Sequence, residues 1–119
     1  MLEKLLNSAV VDTDDQGLRQ FIYEHPKVLA QFTADNCPIC ALVAPGFQRL
    51  AGDKAYDGIL FIRLDSDENP VAKHLMAQRA APFFVSYCQG RMLECDTQVT
   101  DAAVLAQLDR LRAHQPQPA

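Results

Sequence analysis

The 119-residue sequence has no run of lysine and arginine and no long apolar stretch. Without a basic cluster, nucleic-acid binding and a basic membrane-surface helix are both disfavoured. No segment approaches the roughly 18 apolar residues that a membrane-spanning helix needs. The N-terminal stretch MLEKLLNSAVVD also lacks the apolar core and the small-residue cleavage site of a signal peptide. We therefore expect a cytoplasmic protein without a membrane or nucleic-acid partner.

Length and composition indicate one globular domain. Hydrophobic residues make up 49% of the chain and charged residues 22%, with a net charge of −4. A chain of this length buries enough surface to fold without disulfide staples. We expect one domain at 1–113, a flexible tail at 114–119 and a monomer. In a reducing compartment the four cysteines are not a disulfide framework, and a close pair among them is more often catalytic or metal-binding.

Hydrophobic patterning predicts alternating helices and strands. Thr13 begins a capping-box motif ahead of the first helix. That helix should end near Glu24, because Pro26 disfavours helical geometry at His25. The remaining predicted elements are a short first strand at 8–11, strands at 28–32 and 59–64, helices at 41–50 and from Asn69-Pro70, a hairpin of 83–87 and 91–95, and a last helix capped by Thr100. The expected fold is α/β, a mixed central sheet of four to five strands flanked by helices on both faces.

Two cysteines, Cys37 and Cys40, stand two residues apart between a predicted strand and a predicted helix. Cys37 should therefore lie at a helix N-terminus, with Pro38 at the first helical position, where its missing N–H costs nothing. Partial positive charge and free N–H groups at that end stabilise a thiolate, so the pKa of Cys37 should fall well below that of a free thiol. One thiol would attack a substrate disulfide and the other would resolve the mixed disulfide.

The cysteines also allow other interpretations. The pair could be structural, with both thiols buried and inert, or it could bind zinc together with Cys88 and Cys95. A two-residue turn at Gln89-Gly90 would place Cys88 opposite Arg91. Cys95 would then face Phe84, several residues away along the strands, which disfavours a shared metal or a disulfide. We therefore predict no metal site, and we interpret both residues as small, partly buried hydrophobic side chains.

Several fixed spacings together resemble thioredoxin along nearly the whole chain. The matching features, in order, are the strand 28–32, Cys37-Pro38-Ile39-Cys40, Pro45, Arg63-Leu64-Asp65, Asn69-Pro70, and Ala80-Ala81-Pro82 before the hairpin with Gly90. The resemblance implies a thioredoxin fold and a thiol–disulfide oxidoreductase. It assigns Cys37 as the nucleophile and Cys40 as the resolving thiol.

The same resemblance implies a substrate surface and partners. Pro82 would be a cis-proline that faces the cysteines and helps to bind substrate backbone, and Ala81, Pro38 and Ile39 would lie beside it. The partners would be protein disulfides, with electrons from a thioredoxin reductase or from glutathione. No cofactor is expected besides the redox-active Cys37–Cys40 disulfide. The implied roles are electron transport and cell redox homeostasis, while the direction, reduction or oxidation, stays open.

The sequence departs from thioredoxin around the motif. Asn36 stands where a tryptophan is usual, and the inner Pro-Ile pair is closer to the Cys-Pro-Tyr-Cys of glutaredoxins. Gln31 occupies the position of a buried aspartate that helps to move the resolving thiol's proton, so release of the mixed disulfide should slow. Arg63 replaces a common lysine and cannot transfer a proton. Asp35 opposes thiolate formation at Cys37.

These departures leave two functions open. One is a thiol–disulfide oxidoreductase of atypical character. The other is a thioredoxin-fold binding or chaperone-like module with weak or vestigial redox activity, which would dock a partner around Ile39, Ala81 and Pro82. A depressed thiol pKa favours the enzyme, and an ordinary, slowly reacting thiol favours the module.

Overall fold

The computed structural model describes residues 10–34, 37–65 and 82–115. In chain order the elements are β1 (Val10–Thr13), α1 (Asp15–Glu24), β2 (Lys27–Thr33), α2 (Pro38–Ala51), a 3-10 helix (Lys54–Tyr56), β3 (Ile59–Asp65), β4 (Phe83–Cys88), β5 (Arg91–Thr97) and α3 (Asp101–Ala113). The helix predicted from Asn69-Pro70 lies outside these ranges. No helix within them is long and apolar enough to cross a membrane.

All five strands belong to one sheet, in the order β1–β3–β2–β4–β5. β3 pairs in parallel with both β1 and β2, while β4 runs antiparallel to β2 and β5 antiparallel to β4. Parallel neighbours require a crossover connection, whereas β4 and β5 are joined by a tight turn. The predicted mixed α/β sheet is confirmed, with five strands.

The hydrophobic core lies on both faces of the sheet. Helices α2 and α3 cover one face, where the ring of Phe47 lies 5.3 Å from that of Phe61 and 5.4 Å from that of Phe84. Helix α1 covers the other face, where the rings of Phe32 and Phe83 stack with centroids 4.6 Å apart. Because side chains alternate along a strand, every second residue of β2 points toward α2.

The first helix begins one residue later than its capping motif predicted. Asp14 is the N-cap, and its carboxylate accepts the backbone N–H of Gly17 over 2.9 Å. Thr13 instead belongs to β1 and pairs with Leu64 of β3. The capping prediction at Thr13 was therefore wrong, because sheet pairing holds that residue in the strand. The predicted end of the helix is confirmed, with His25 as the C-cap.

The β4–β5 hairpin contains a bulge that the sequence analysis missed. The turn residues Gln89 and Gly90 have left-handed φ values of 52° and 81°, as a tight hairpin turn requires. Midway along β4 the register shifts by one residue, so Cys95 faces Val85. The prediction that Cys95 faces Phe84 was wrong, because a bulge sets two residues of one strand against one of the other.

The last helix ends at Ala113 and is tied to the sheet beyond its end. The Lys27 ammonium group donates to the carbonyl groups of Arg112 and His114, each over 2.8 Å. This contact joins the start of β2 to the end of α3. The proposed boundary between a domain at 1–113 and a flexible tail at 114–119 stays a prediction.

Candidate active site

Cys37 and Cys40 form a disulfide at the N-terminus of α2, with their Cα atoms 5.2 Å apart. Cys37 is the N-cap residue with an extended backbone, and Pro38 is the first helical residue. The backbone N–H of Cys40 points at the Cys37 sulfur, over 3.1 Å. The structure thus brings together the two cysteines that the sequence singled out, at a helix end whose N–H groups and dipole favour a negative sulfur.

The two sulfur-bearing side chains differ in accessibility. Cys37 is half-buried, whereas Cys40 is only 7% exposed. Between them Pro38 and Ile39 are exposed to solvent, and Ile39 adds an apolar surface beside the disulfide. The more exposed of the two cysteines is therefore the one at the positive end of α2.

Gln31 is fully buried in β2, on the sheet face that α2 covers. It lies opposite Arg63 of β3 and Phe84 of β4. Gln31 is near the C-terminal end of β2, which leads into the cysteine segment. Neither polar atom of its side chain has a hydrogen-bond partner among the residues that the structure describes. An unsatisfied buried polar group costs about 1–3 kcal/mol. This part of the core is therefore not optimised for stability alone.

Arg63 is bound by an aspartate on the neighbouring strand. Its Nε and Nη2 atoms donate to the two carboxylate oxygens of Asp12, over 2.7 and 3.2 Å. The two residues are directly paired in the β1–β3 ladder, with Asp12 largely exposed. This partner was not predicted, because the pairing follows from the strand register and not from any local sequence motif. An exposed pair of this kind contributes little stability.

Pro82 is buried and directly precedes β4. Its carbonyl oxygen accepts a hydrogen bond from the backbone N–H of Gln98, over 3.3 Å. Continuing the β2–β4 register by one position sets Pro82 opposite Thr33, the last residue of β2. The proline and the cysteine segment therefore lie at the same end of the sheet. Three further predicted site residues lie outside the described residues: Ala81, Asp35 and Asn36.

The other two cysteines lie in the hairpin and take no part in a disulfide. Cys88 is buried and faces Arg91, as predicted, and Cys95 is half-buried on β5. Across residues 10–34, 37–65 and 82–115, no group of three or more histidine, cysteine, aspartate or glutamate side chains is placed to hold a metal ion.

Known proteins are similar to this chain both in sequence and in fold. The Thioredoxin family model matches residues 9–110. Thioredoxin H3 of Arabidopsis thaliana is 32% identical over 84 residues, which cover 70% of this chain and 69% of that protein. Thioredoxin Asp f 28 of Aspergillus fumigatus is 32% identical over 85 residues, which cover 71% of this chain and 77% of that protein.

The structural comparison extends over more of the chain. The crystal structure of the Malassezia sympodialis thioredoxin Mala s 13 superposes with a TM-score of 0.78 at 23% identity, covering 89% of this chain and 92% of that one. At that identity the match shows the fold, and the curated relatives and the family model carry the assignment. Since the family match runs from β1 into α3 and includes the paired cysteines at the start of α2, the chain belongs to the thioredoxin family.

Proposed function

We propose that this protein is a thiol–disulfide oxidoreductase that exchanges the Cys37/Cys40 dithiol with protein disulfides. Membership of the thioredoxin family supports the reaction class. The observation that carries the proposal is the hydrogen bond from the Cys40 N–H to the Cys37 sulfur at the N-terminus of α2. That donor and the helix dipole favour a negatively charged sulfur at Cys37 once the disulfide is reduced.

The reaction proceeds in two exchanges. The Cys37 thiolate attacks one sulfur of the substrate disulfide, which forms a mixed disulfide and releases the other substrate sulfur as a thiolate. Cys40 then loses its proton and attacks the Cys37 sulfur, which releases the second substrate thiolate and restores the Cys37–Cys40 disulfide. The substrate gains two electrons and the cysteine pair loses two. The greater exposure of Cys37 supports its role as the nucleophile.

The atypical character lies in the second exchange. Gln31 is neutral at every pH, so its buried amide cannot accept the proton of Cys40. Arg63 stays protonated and is already paired with Asp12. The proton of Cys40 then passes to water or to the departing thiolate, and resolution of the mixed disulfide is slower than it would be with a buried carboxylate. In the first exchange, Asp35 would oppose thiolate formation at Cys37, and Asn36 would further modulate the reactivity of the pair.

The substrate surface would lie around the exposed residues of the motif. Pro38 and Ile39 are exposed beside the disulfide, and Pro82 lies at the same end of the sheet. We assign these residues, with Ala81, to contacts with the backbone and apolar side chains of a protein disulfide. A thioredoxin reductase or glutathione would supply the electrons.

A binding or chaperone-like module is the second candidate, and one observation favours it. Beside the motif Leu42 is 74% exposed and Ile39 is 38% exposed, which gives apolar surface without a covering side chain among the described residues. The rate of alkylation of reduced Cys37 as a function of pH separates the two functions. The oxidoreductase requires a thiol that reacts at a pH well below that of a free thiol, and the module does not.

Trapping the reaction intermediate tests the proposed function. In Cys40→Ser the resolving thiol is gone, so the protein should accumulate as a mixed disulfide between Cys37 and an insulin chain, visible in the intact mass. Cys88→Ser, which alters a cysteine outside the motif, is the matched control and should not accumulate the adduct. If Cys40→Ser formed no adduct, or formed it through Cys88 or Cys95, the assignment of Cys37 would be wrong.

A further inference from the structure

Two glutamine side chains connect the start of β4 to α3. Gln98 follows β5, and its side-chain Nε2 donates to Oε1 of Gln107 over 2.9 Å. Gln107 lies in α3, and its Nε2 donates to the backbone carbonyl of Phe84 over 3.0 Å. The backbone N–H of Gln98 donates to the carbonyl of Pro82. The chain from residue 82 to residue 84 is thereby held through Gln98 and Gln107, which we call the amide pair.

Gln107 of the amide pair lies in a mostly apolar core, in which Gln31 and Ser86 are the other buried polar side chains among the described residues. Gln107 is completely buried on α3 among Val104, Leu108 and Leu111, which pack against the sheet. A buried amide is costly unless both its oxygen and its nitrogen are paired, and here both are. The Gln107 amide keeps both hydrogen bonds only when Gln98 and the Phe84 carbonyl stay in place. A leucine of similar size would fill the same space without holding these groups, so the amide fixes the position of the backbone that it binds.

The backbone that the amide pair fixes lies at the cysteine end of the sheet. Phe83 is the first residue of β4 with partners on both sides, Phe32 of β2 and Thr97 of β5. Pro82 lies one position further toward the cysteines, and a proline has no N–H with which to join the ladder. Among the described residues, the backbone N–H of Gln98 is the one hydrogen-bond donor to the Pro82 carbonyl. The placement of Pro82 therefore depends on where Gln98 is held.

We infer that Gln98 and Gln107 are positioning residues for substrate docking, because they set the Pro82 segment at the right place beside the Cys37–Cys40 pair. The partner is an extended stretch of a disulfide-bearing protein that lies along this segment while its sulfur meets Cys37. The inference rests on the proposed function, since it needs a protein disulfide at Cys37. Among the described residues the side chains of the amide pair bond to each other and to the Phe84 carbonyl, not to the sulfur atoms.

The amide pair should consequently affect protein substrates and leave the sulfur chemistry unchanged. A small aromatic disulfide has only to reach Cys37, so it reacts without the Pro82 segment. A protein disulfide has to dock, so it binds more weakly when that segment shifts. The predicted signature is a higher KM for insulin with an unchanged kcat, and an unchanged rate constant for the small disulfide.

The experiment uses two variants of the full chain. Gln107→Leu keeps the side-chain volume and removes both hydrogen bonds, and Gln98→Ala removes the side chain but keeps its backbone N–H. The KM for insulin should rise about five-fold in each, as expected for a lost interaction of about 1 kcal/mol. The kcat and the rate constant with the small disulfide should stay within about two-fold of the native values. Gln48→Leu, on the exposed side of α2, is the matched control and should leave all three unchanged.

The outcomes separate the inference from the proposed function. A native KM for insulin in both variants overturns the inference alone, and so does an equal loss with insulin and the small disulfide, since that indicates general damage. If Gln107→Leu fails to fold, Gln98→Ala, at a half-buried position, still decides the matter. If the unaltered protein does not reduce insulin at all, the proposed function fails and the inference with it.

Discussion

In the proposed reaction, Gln31 occupies a buried position where an ionisable side chain could accept a proton, but its amide cannot. It has no exposed surface, and its amide atoms make no hydrogen bond with the part of the chain that the structure describes. The neighbouring positive charge at Arg63 is already bound by Asp12. Gln31 itself has no ionisable group, so in the proposed reaction the proton of Cys40 passes to water or to the departing thiolate.

Replacing Gln31 by aspartate should restore that base. General-base catalysis is typically worth about 10²–10⁴-fold when the base is well placed, and we expect Gln31→Asp to raise insulin turnover at least several-fold. The variant should also be less stable, because a buried carboxylate without a partner is costly. Turnover of insulin and unfolding in urea measure the two effects.

Gln31→Leu is the control for the aspartate variant. It removes the unsatisfied amide without adding a base, so it should leave turnover near the native value and should not lower stability. Equal turnover in Gln31→Asp and the native protein would discount a proton-transfer role at this position.

Tyr87 gives a pH dependence of stability at the residue scale. Burial, followed by the nearby Cys95 and Asp15, raises the pKa of its phenol. A raised pKa in the folded state means that the neutral phenol is favoured in the fold. The stabilisation is complete below about pH 10, the unfolded value, and is lost as the pH rises from there toward the folded pKa.

The Tyr87→Phe variant should lose less stability between pH 8 and pH 11 than the native protein, as urea unfolding at each pH would measure. Tyr23→Phe, at a position that is 83% exposed, is the matched control and should follow the native curve. If Tyr87→Phe followed the native curve as well, the phenol would not be the titrating group.

At the residue scale the sequence predicted the residues that depend on local context. Cys37, Pro38 and Cys40 were found from their spacing and from the strand and helix on either side. Asp12 and Gln107 were not, because Arg63 is 51 residues from Asp12 and Phe84 is 23 residues from Gln107 in the chain. Such contacts follow from the sheet register and the helix packing, which cannot be predicted from local sequence patterns.

At the scale of elements the packing of α3 on α2 supports the helix that carries the cysteines. Gly46 of α2 lies under the Asp101 side chain at the start of α3, and an added Cβ would come within 2.5 Å of the Asp101 carboxylate. The same carboxylate pairs with Arg49 over 3.5 Å. The absence of a side chain at position 46 thus lets the acidic first turn of α3 approach α2.

A double-mutant cycle tests this contact. Alanine is better than glycine inside a helix by about 1 kcal/mol, so Gly46→Ala should stabilise the protein when Asp101→Ala has cleared the space. When Asp101 is present, the new methyl group of Gly46→Ala displaces the Asp101 carboxylate from Arg49. Most of the gain in helix stability should therefore vanish in the native background. The free energies of unfolding of the four proteins measure the coupling. The same effect of Gly46→Ala in both backgrounds would mean that the contact is unimportant.

Element boundaries were harder to predict than element types. The helix-forming stretch at 41–50 extends over Pro38–Ala51 in the structure. Its start at Pro38, with Cys37 as the N-cap, agrees with the position predicted from the cysteine motif. The helix continues through Pro45. The bulge in the hairpin went unpredicted because the two strands carry no local sequence signal for the register shift between Ser86 and Tyr87.

At the scale of the whole molecule the fold places the site at one end of the sheet. β2 leads into the cysteine helix, and the antiparallel β4 begins at the same end with Pro82. The strand order β1–β3–β2–β4–β5 makes these two strands neighbours. The sequence predicted the alternation of elements and, by resemblance, the family. The fixed spacing of its landmarks was the signal, since alternation alone is shared by many α/β folds.

The proposed function requires the Cys37/Cys40 pair to carry out disulfide exchange on proteins. Its decisive test is the catalysed reduction of insulin in the presence of dithiothreitol, compared between the native protein and Cys37→Ser. We predict that the native protein accelerates the reduction and that Cys37→Ser falls to the rate of dithiothreitol alone, while Cys88→Ser retains the native rate. Equal rates for the native protein and Cys37→Ser would contradict the account.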